Sequence, residues 1–151
     1  MLLPCGVFAL GFLESLANVS ITALVLSPFE SASNPVIRDI HEYCLVFSKE
    51  GMSKGTKGTS TLEKDEFMDS TLSIWNISPA RAKKIGHPAP FPVELAERFI
   101  NLYSYENDLV LDPFIGSGTT ALAAKNLQRS YVGYEINPEY CDLAEKRLSE
   151  N

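Results

Sequence analysis

A chain of 151 residues is long enough for one modest domain with a hydrophobic core. Its 45% hydrophobic and 21% charged residues exclude wholesale disorder. The formal net charge of −6 weighs mildly against polyanion binding, although local basic patches count for more than the total.

Residues 1–30 form an apolar stretch of uncertain internal order, with Leu2, Leu3, Val7, Phe8, Leu10 and Phe12 followed by Ile21 to Leu26. No Lys or Arg precedes Arg38, so the basic start of a signal peptide is missing. Glu14 and Asn18 break the run too early for a membrane span, which leaves core helix and strand as the expected structure.

Residues 31–86 read as a second region. Tyr43-Cys44-Leu45-Val46-Phe47 is β-branched and aromatic-rich and predicts a strand, with Tyr43 packed and His41 and Glu42 supporting its start. Residues 49–61 read as a flexible loop, since Gly51, Gly55 and Gly58 sit among Ser, Thr and Lys. A short strand is expected over Leu72 to Ile77. Trp75 within it, the only tryptophan, reads as a core residue rather than a base-stacking one. Lys49, Lys54 and Lys57 form one basic patch, and Arg81, Lys83, Lys84 and His87 another; both read as solvated surface.

Residues 87–151 carry a clearer pattern. A helix should start near Pro92, because proline at the first helical position loses no needed hydrogen bond. Leu95, Ala96, Phe99, Ile100 and Tyr103 then fall on one face. Leu109-Val110-Leu111 reads as a buried strand, Thr119 to Asn126 as a helix, and Tyr131 to Tyr134 as a strand ending at Glu135. Asn137-Pro138 opens a last helix, Asn as cap and Pro in the first turn, with Tyr140, Leu143, Ala144 and Leu148 facing inward. Helix, strand, helix, strand, helix is the order of a parallel, doubly wound α/β unit. Cys5, Cys44 and Cys141 lack paired spacing and read as free thiols of a reducing cytosol. With two histidines far apart, no metal site is expected.

The chemistry gathers in Asp112-Pro113-Phe114-Ile115-Gly116-Ser117-Gly118-Thr119-Thr120. In open α/β sheets, ligands bind beyond the carboxyl ends of the strands, where this loop should lie. Gly116 and Gly118 permit a tight turn and close approach of a ligand. Glu135, ending the next strand, can accept both hydroxyl hydrogens of a ribose. Two cofactors fit. Gly116-x-Gly118-x-x-Ala121 with Glu135 downstream satisfies a nicotinamide-dinucleotide fingerprint. Asp112 at the strand tip would repel a pyrophosphate but favour the ammonium or sulfonium of S-adenosylmethionine, which is the preferred reading.

Residues Asp112 to Thr120 resemble the cofactor motif of the DNA N4-cytosine/N6-adenine methyltransferases. His87-Pro88-Ala89-Pro90-Phe91-Pro92, followed by Glu94-Leu95, looks like the segment with which that family holds the methionine end of the cofactor. Tyr131-Val132-Gly133-Tyr134-Glu135-Ile136-Asn137 resembles its ribose-holding strand, and Ser33 to Tyr43 with Phe47-Ser48-Lys49 resembles the late part of its catalytic half. The resemblance covers about residues 30–149 and fits the permuted arrangement in which the cofactor motif is C-terminal. Residues 1–26 are not recognisable, so it implies an N-terminally truncated or divergent member.

The resemblance implies a partial Rossmann-like sheet, S-adenosyl-L-methionine as cofactor, and His87, Pro88, Ala89, Phe91, Pro92, Asp112, Pro113, Phe114, Gly116, Ser117, Gly118, Thr119, Thr120 and Glu135 as its binding residues. It implies site-specific methyl transfer to an exocyclic amino group of adenine or cytosine in double-stranded DNA, in a prokaryotic cytoplasm, within restriction–modification. The family's Asp/Asn/Ser-Pro-Pro-aromatic motif, which holds the target base, has no match. Ser27-Pro28-Phe29 lacks the second proline, and Asn34-Pro35 lacks both that proline and the aromatic. No catalytic residue is therefore assigned. The alternative expectation is an inactive cofactor-binding half that needs a complementary N-terminal chain or a dimer mate.

Overall fold

A computed structural model describes residues 8–9, 41–48, 57–81, 85–86 and 90–151. The chain divides into two units, one of residues 1–11 with 54–151 and one of residues 12–53. The motif-like strings at Ser27 and Asn34, and the basic residues Lys49, Lys54, Lys83 and Lys84, lie outside the described residues.

In the second unit, residues 41–48 are exposed and belong to no ladder, which corrects the strand expected over Tyr43 to Phe47. Tyr43 is 84% exposed rather than packed, and its ring meets the edge of His41, at 5.1 Å between centroids. β-propensity measures how well a side chain suits a pleated, half-buried surface, and no such surface is offered here.

The first unit is a parallel α/β arrangement. Among the described residues, β1 (Phe8–Ala9), β2 (Leu109–Asp112) and β3 (Ser130–Gly133) form a three-stranded sheet with β2 in the centre. Phe8 pairs with Val110, and Leu109 to Asp112 run beside Ser130 to Gly133, all in parallel. Adjacent parallel strands need a crossover, which α3 (Thr119–Asn126) supplies between β2 and β3. The apolar stretch at the N-terminus thus delivers at least one strand of the sheet, in keeping with its composition.

The core joins α2 (Val93–Tyr103), β2 and α3 through Ala96, Ile100, Val110, Ala123 and Ala124, with Phe91, Val93 and Leu127 packed against it. Helix α3 is buried on every side from Thr119 to Ala124. Its run of Thr and Ala keeps side chains short, so sheet and helices approach it closely. It ends in a Schellman motif: Gln128 adopts φ 62°, Gln128 N–H donates to the Lys125 carbonyl at 3.1 Å, and Arg129 N–H donates to that of Ala124 at 2.8 Å. Helix α4 (Pro138–Glu150) begins as expected, with the Asn137 side chain accepting from Glu139 N–H at 3.0 Å and Pro138 in the first turn.

Two local expectations are corrected. Pro92 is the N-cap of α2, with extended ψ of 141°, so the helix starts one residue later. Residues Leu72 to Ile77 form no strand; Trp75 instead lays its ring on Phe99 of α2 at 5.0 Å, below the Arg98 guanidinium at 5.5 Å. Trp75 is half-buried and packed, which agrees with its reading as a core residue.

A further helix, α1 (Lys64–Ser70), went unrecognised in the pattern. A polar network fastens it and the extended approach to it. Asn101 of α2 donates to Glu66 at 2.8 Å and accepts from Thr61 at 2.6 Å. Arg129 donates to Thr61 Oγ1 at 2.7 Å, to Ser104 Oγ at 3.0 Å and to the Ser104 carbonyl at 2.8 Å. Arg129 is only 4% exposed, and burial pushes its guanidinium below its ordinary value, against the opposing pull of Asp108 and then Glu106. A guanidinium tolerates burial here because its donors are met. No helix among the described residues is long and apolar enough to cross a membrane.

Candidate cofactor site

The glycine loop joins the carboxyl end of β2 to the first turn of α3, where the strand pattern placed it. Gly116 has φ 50° and Gly118, the N-cap of α3, has φ 79°. Both lie in the left-handed region that costs a side-chain-bearing residue energy, so glycine is needed for the backbone as well as for access.

Asp112 anchors the loop from within. It is 4% exposed; one carboxylate oxygen accepts from Phe114 N–H at 2.9 Å and the other from Thr120 Oγ1 at 2.5 Å. The carboxylate is therefore buried and tied both to the loop and to the first turn of α3. Ser117, Thr119 and Thr120 are buried at 4%, 2% and 1% exposure and shape the loop from inside. Phe114 is turned outward at 79% exposure, and Pro113 beside it is half-exposed.

Glu135 stands across the loop. Its Oε2 accepts from Gly116 N–H at 3.0 Å and its Oε1 from Asn137 N–H at 2.9 Å. Each carboxylate oxygen has capacity for a further hydrogen bond, so the half-buried group retains two acceptor positions while steadying the loop. The backbone is closed by Ile115 N–H to the Tyr134 carbonyl and Tyr134 N–H to that of Asp112, each at 3.0 Å. Phe91 packs against the core and Pro92 caps α2, while His87, Pro88 and Ala89 lie outside the described residues.

Three further residues shape this loop: Gly133 and Ala144, which the sequence placed in the ribose-holding strand motif and on an inward helix face without a role at the loop, and Arg147, which it did not single out. Gly133 ends β3 under Ile115; a Cβ there would stand 2.8 Å from the Ile115 Cβ. A glycine inside a strand is the ordinary sign of such close approach. Ala144 of α4 meets Gly118, where a Cβ would come within 2.9 Å of its own. Arg147, one turn further along α4, donates from Nη1 to the Ser117 carbonyl at 2.5 Å, to Ser117 Oγ at 3.0 Å and to Thr119 Oγ1 at 3.3 Å. Its signal was its spacing, three residues beyond Ala144 on a face already read as inward.

The sequence profile of a family described as DNA methylase matches residues 20–146. The type II methyltransferase M.MthZI of Methanothermobacter thermautotrophicus is 34% identical over 130 residues, covering 78% of this chain and 37% of that protein. The orphan methyltransferase M.BamHII of Bacillus amyloliquefaciens is 50% identical over 83 residues, covering 51% of this chain and 31% of its own length. Among solved structures, a Thermus thermophilus protein assigned as a DNA modification methylase and complexed with S-adenosyl-L-methionine superposes with a TM-score of 0.56. It is 34% identical, over 73% of this chain and 48% of that one. The chain spans about a third of the length of the curated relatives it matches.

Proposed function

The chain belongs to the DNA methylase family of the N6/N4 class, and from that premise we propose that it is the S-adenosyl-L-methionine-binding portion of a DNA amino-methyltransferase. The observation that carries this reading is the joint geometry of the glycine loop and Glu135 at neighbouring strand ends. The left-handed glycines leave the loop surface free of Cβ atoms, and Glu135 keeps an acceptor position on each oxygen for a ribose diol. Phe114 and Pro113 offer an apolar wall beside it, and His87 to Pro92 would close the methionine end.

The cofactor, when bound, supplies an electrophilic methyl carbon on its sulfonium. The contribution of this chain is to hold that carbon in a fixed place, since direct displacement depends on positioning. The acceptor would be the exocyclic amino group of adenine or cytosine in double-stranded DNA, in the setting of a prokaryotic restriction–modification system.

A second reading concerns how this chain reaches activity. Its sequence contains no Pro-Pro-aromatic string to hold a flipped base. Strand β3 is exposed along its whole length, with Tyr131 and Val132 each 39% exposed and Ile136 beyond it 98% exposed. Strands of parallel sheets are ordinarily covered on both faces. Both features favour a cofactor-binding half that works with a complementary chain or a dimer mate.

Calorimetric titration with S-adenosyl-L-methionine, followed by transfer of a labelled methyl group to DNA, tests both readings. Saturable binding without incorporation is the expected result for the chain alone. Absence of binding, or tighter binding of NAD in a parallel titration, would sink the cofactor assignment. Robust incorporation by the isolated chain would overturn the half-enzyme reading.

A further inference from the structure

The glycine loop is held from two sides, and the second side belongs to the last helix. Glu135 fixes its outer half through Gly116 N–H, and Asp112 fixes its start through Phe114 N–H. Neither reaches Ser117, whose carbonyl follows the first left-handed glycine. That carbonyl lies under the loop and accepts from Arg147 Nη1, which also meets the hydroxyls of Ser117 and Thr119.

Helix α4 is placed to do this by the contact one turn earlier. Gly118 sits directly on Ala144, so loop and helix meet with only the Ala144 methyl between them. Arg147 is then three residues along the same face, close enough for its guanidinium to reach under the loop. The group is half-buried, and burial pushes its guanidinium below its ordinary value, yet an arginine stays charged throughout the accessible pH range. A charge-assisted donor is stronger and more directional than a neutral one.

We propose that Arg147 is a positioning residue for cofactor binding: from α4 it locks the Ser117 peptide, and with it the Gly116–Gly118 turn, in the conformation the cofactor meets. This rests on the S-adenosyl-L-methionine reading above. Without the lock the loop samples other turns, and the cofactor must order it on binding, which weakens apparent affinity without removing any direct contact.

The test compares the full chain with Arg147→Met, which keeps the apolar stem over α4, and Arg147→Lys, which keeps one cationic donor. Two readouts are used: calorimetric Kd for S-adenosyl-L-methionine, and amide hydrogen exchange without cofactor. Arg147→Met should raise Kd by roughly tenfold and speed exchange in peptides covering 113–120, leaving those from α2 unchanged. Arg147→Lys should fall between it and the parent. Unchanged Kd and unchanged loop exchange would overturn the proposal. So would faster exchange throughout the unit, which marks a general stabilising contact. If the parent chain fails to bind the cofactor, the cofactor reading falls, and loop exchange alone decides whether Arg147 fixes the turn.

Discussion

Replacing Gly118 by alanine challenges the loop at its tightest point, and its cost has two separable parts. The first is local: φ of 79° forces a Cβ into the left-handed region, at about 1–2 kcal/mol. The second is a contact: the new Cβ would stand 2.9 Å from the Ala144 Cβ and 3.2 Å from its Cα. Carbon pairs prefer about 3.5–4.0 Å, and overpacking of this kind costs roughly 1–3 kcal/mol. A stiffer unfolded chain offsets about 0.4–1 kcal/mol, leaving a net loss of roughly 1.5–4 kcal/mol.

The two parts respond differently to Ala144→Gly. That change alone should cost about 1 kcal/mol through helix propensity. Combined with Gly118→Ala, it removes the Cβ contact and leaves the backbone strain. The double variant should then be more stable than the sum of the single losses predicts, by about 1 kcal/mol or more. Urea unfolding followed by circular dichroism, with a shared slope, measures all four corners of the cycle. A Gly118→Ala variant within about 0.5 kcal/mol of the parent would refute the strain argument. Strict additivity would refute the contact with Ala144.

Thr120→Val keeps the shape of the side chain but takes the hydroxyl from Asp112 Oδ2, leaving a buried carboxylate short of a donor. The expected loss is about 1–3 kcal/mol in urea unfolding, and Thr120→Ser should restore most of it; equal midpoints for all three would remove this bond from the loop's support. On the proposed reading, Glu135→Ala should weaken S-adenosyl-L-methionine binding by about 1–3 kcal/mol in calorimetry, because it would remove the proposed ribose acceptor and free Gly116 N–H. Unchanged affinity would exclude Glu135 from the site.

Much of this unit was legible in the sequence because its signals are local. The period of Ala96 and Ile100, the run Leu109 to Leu111, and the Asn137-Pro138 cap each depend on residues within one element. Helix α3 and the start of α4 fell where expected for that reason. The glycine loop was likewise readable, since positive φ at Gly116 and Gly118 is a demand on the residue itself.

What failed depended on neighbours distant in the chain. Tyr43 to Phe47 has the composition of a strand, but a strand exists only where another strand meets its N–H and C=O groups. Arg129 carried no signal in the sequence, and only the convergence of Thr61 and Ser104 makes it an interior group. The loop divides the same way. Sequence alone determined that a glycine turn at a strand end would face an acidic residue near the end of the next strand, which the structure ends at Gly133, two residues before Glu135. The fold decided which side chains face inward. Asp112, read as a negative charge at the strand tip, also braces the loop through Phe114 N–H and Thr120, and Arg147, unremarked in the sequence, fastens it from α4. A residue type fixes what hydrogen bonds a side chain can make, whereas its partners are set by packing between segments that the sequence keeps 28 to 30 residues apart.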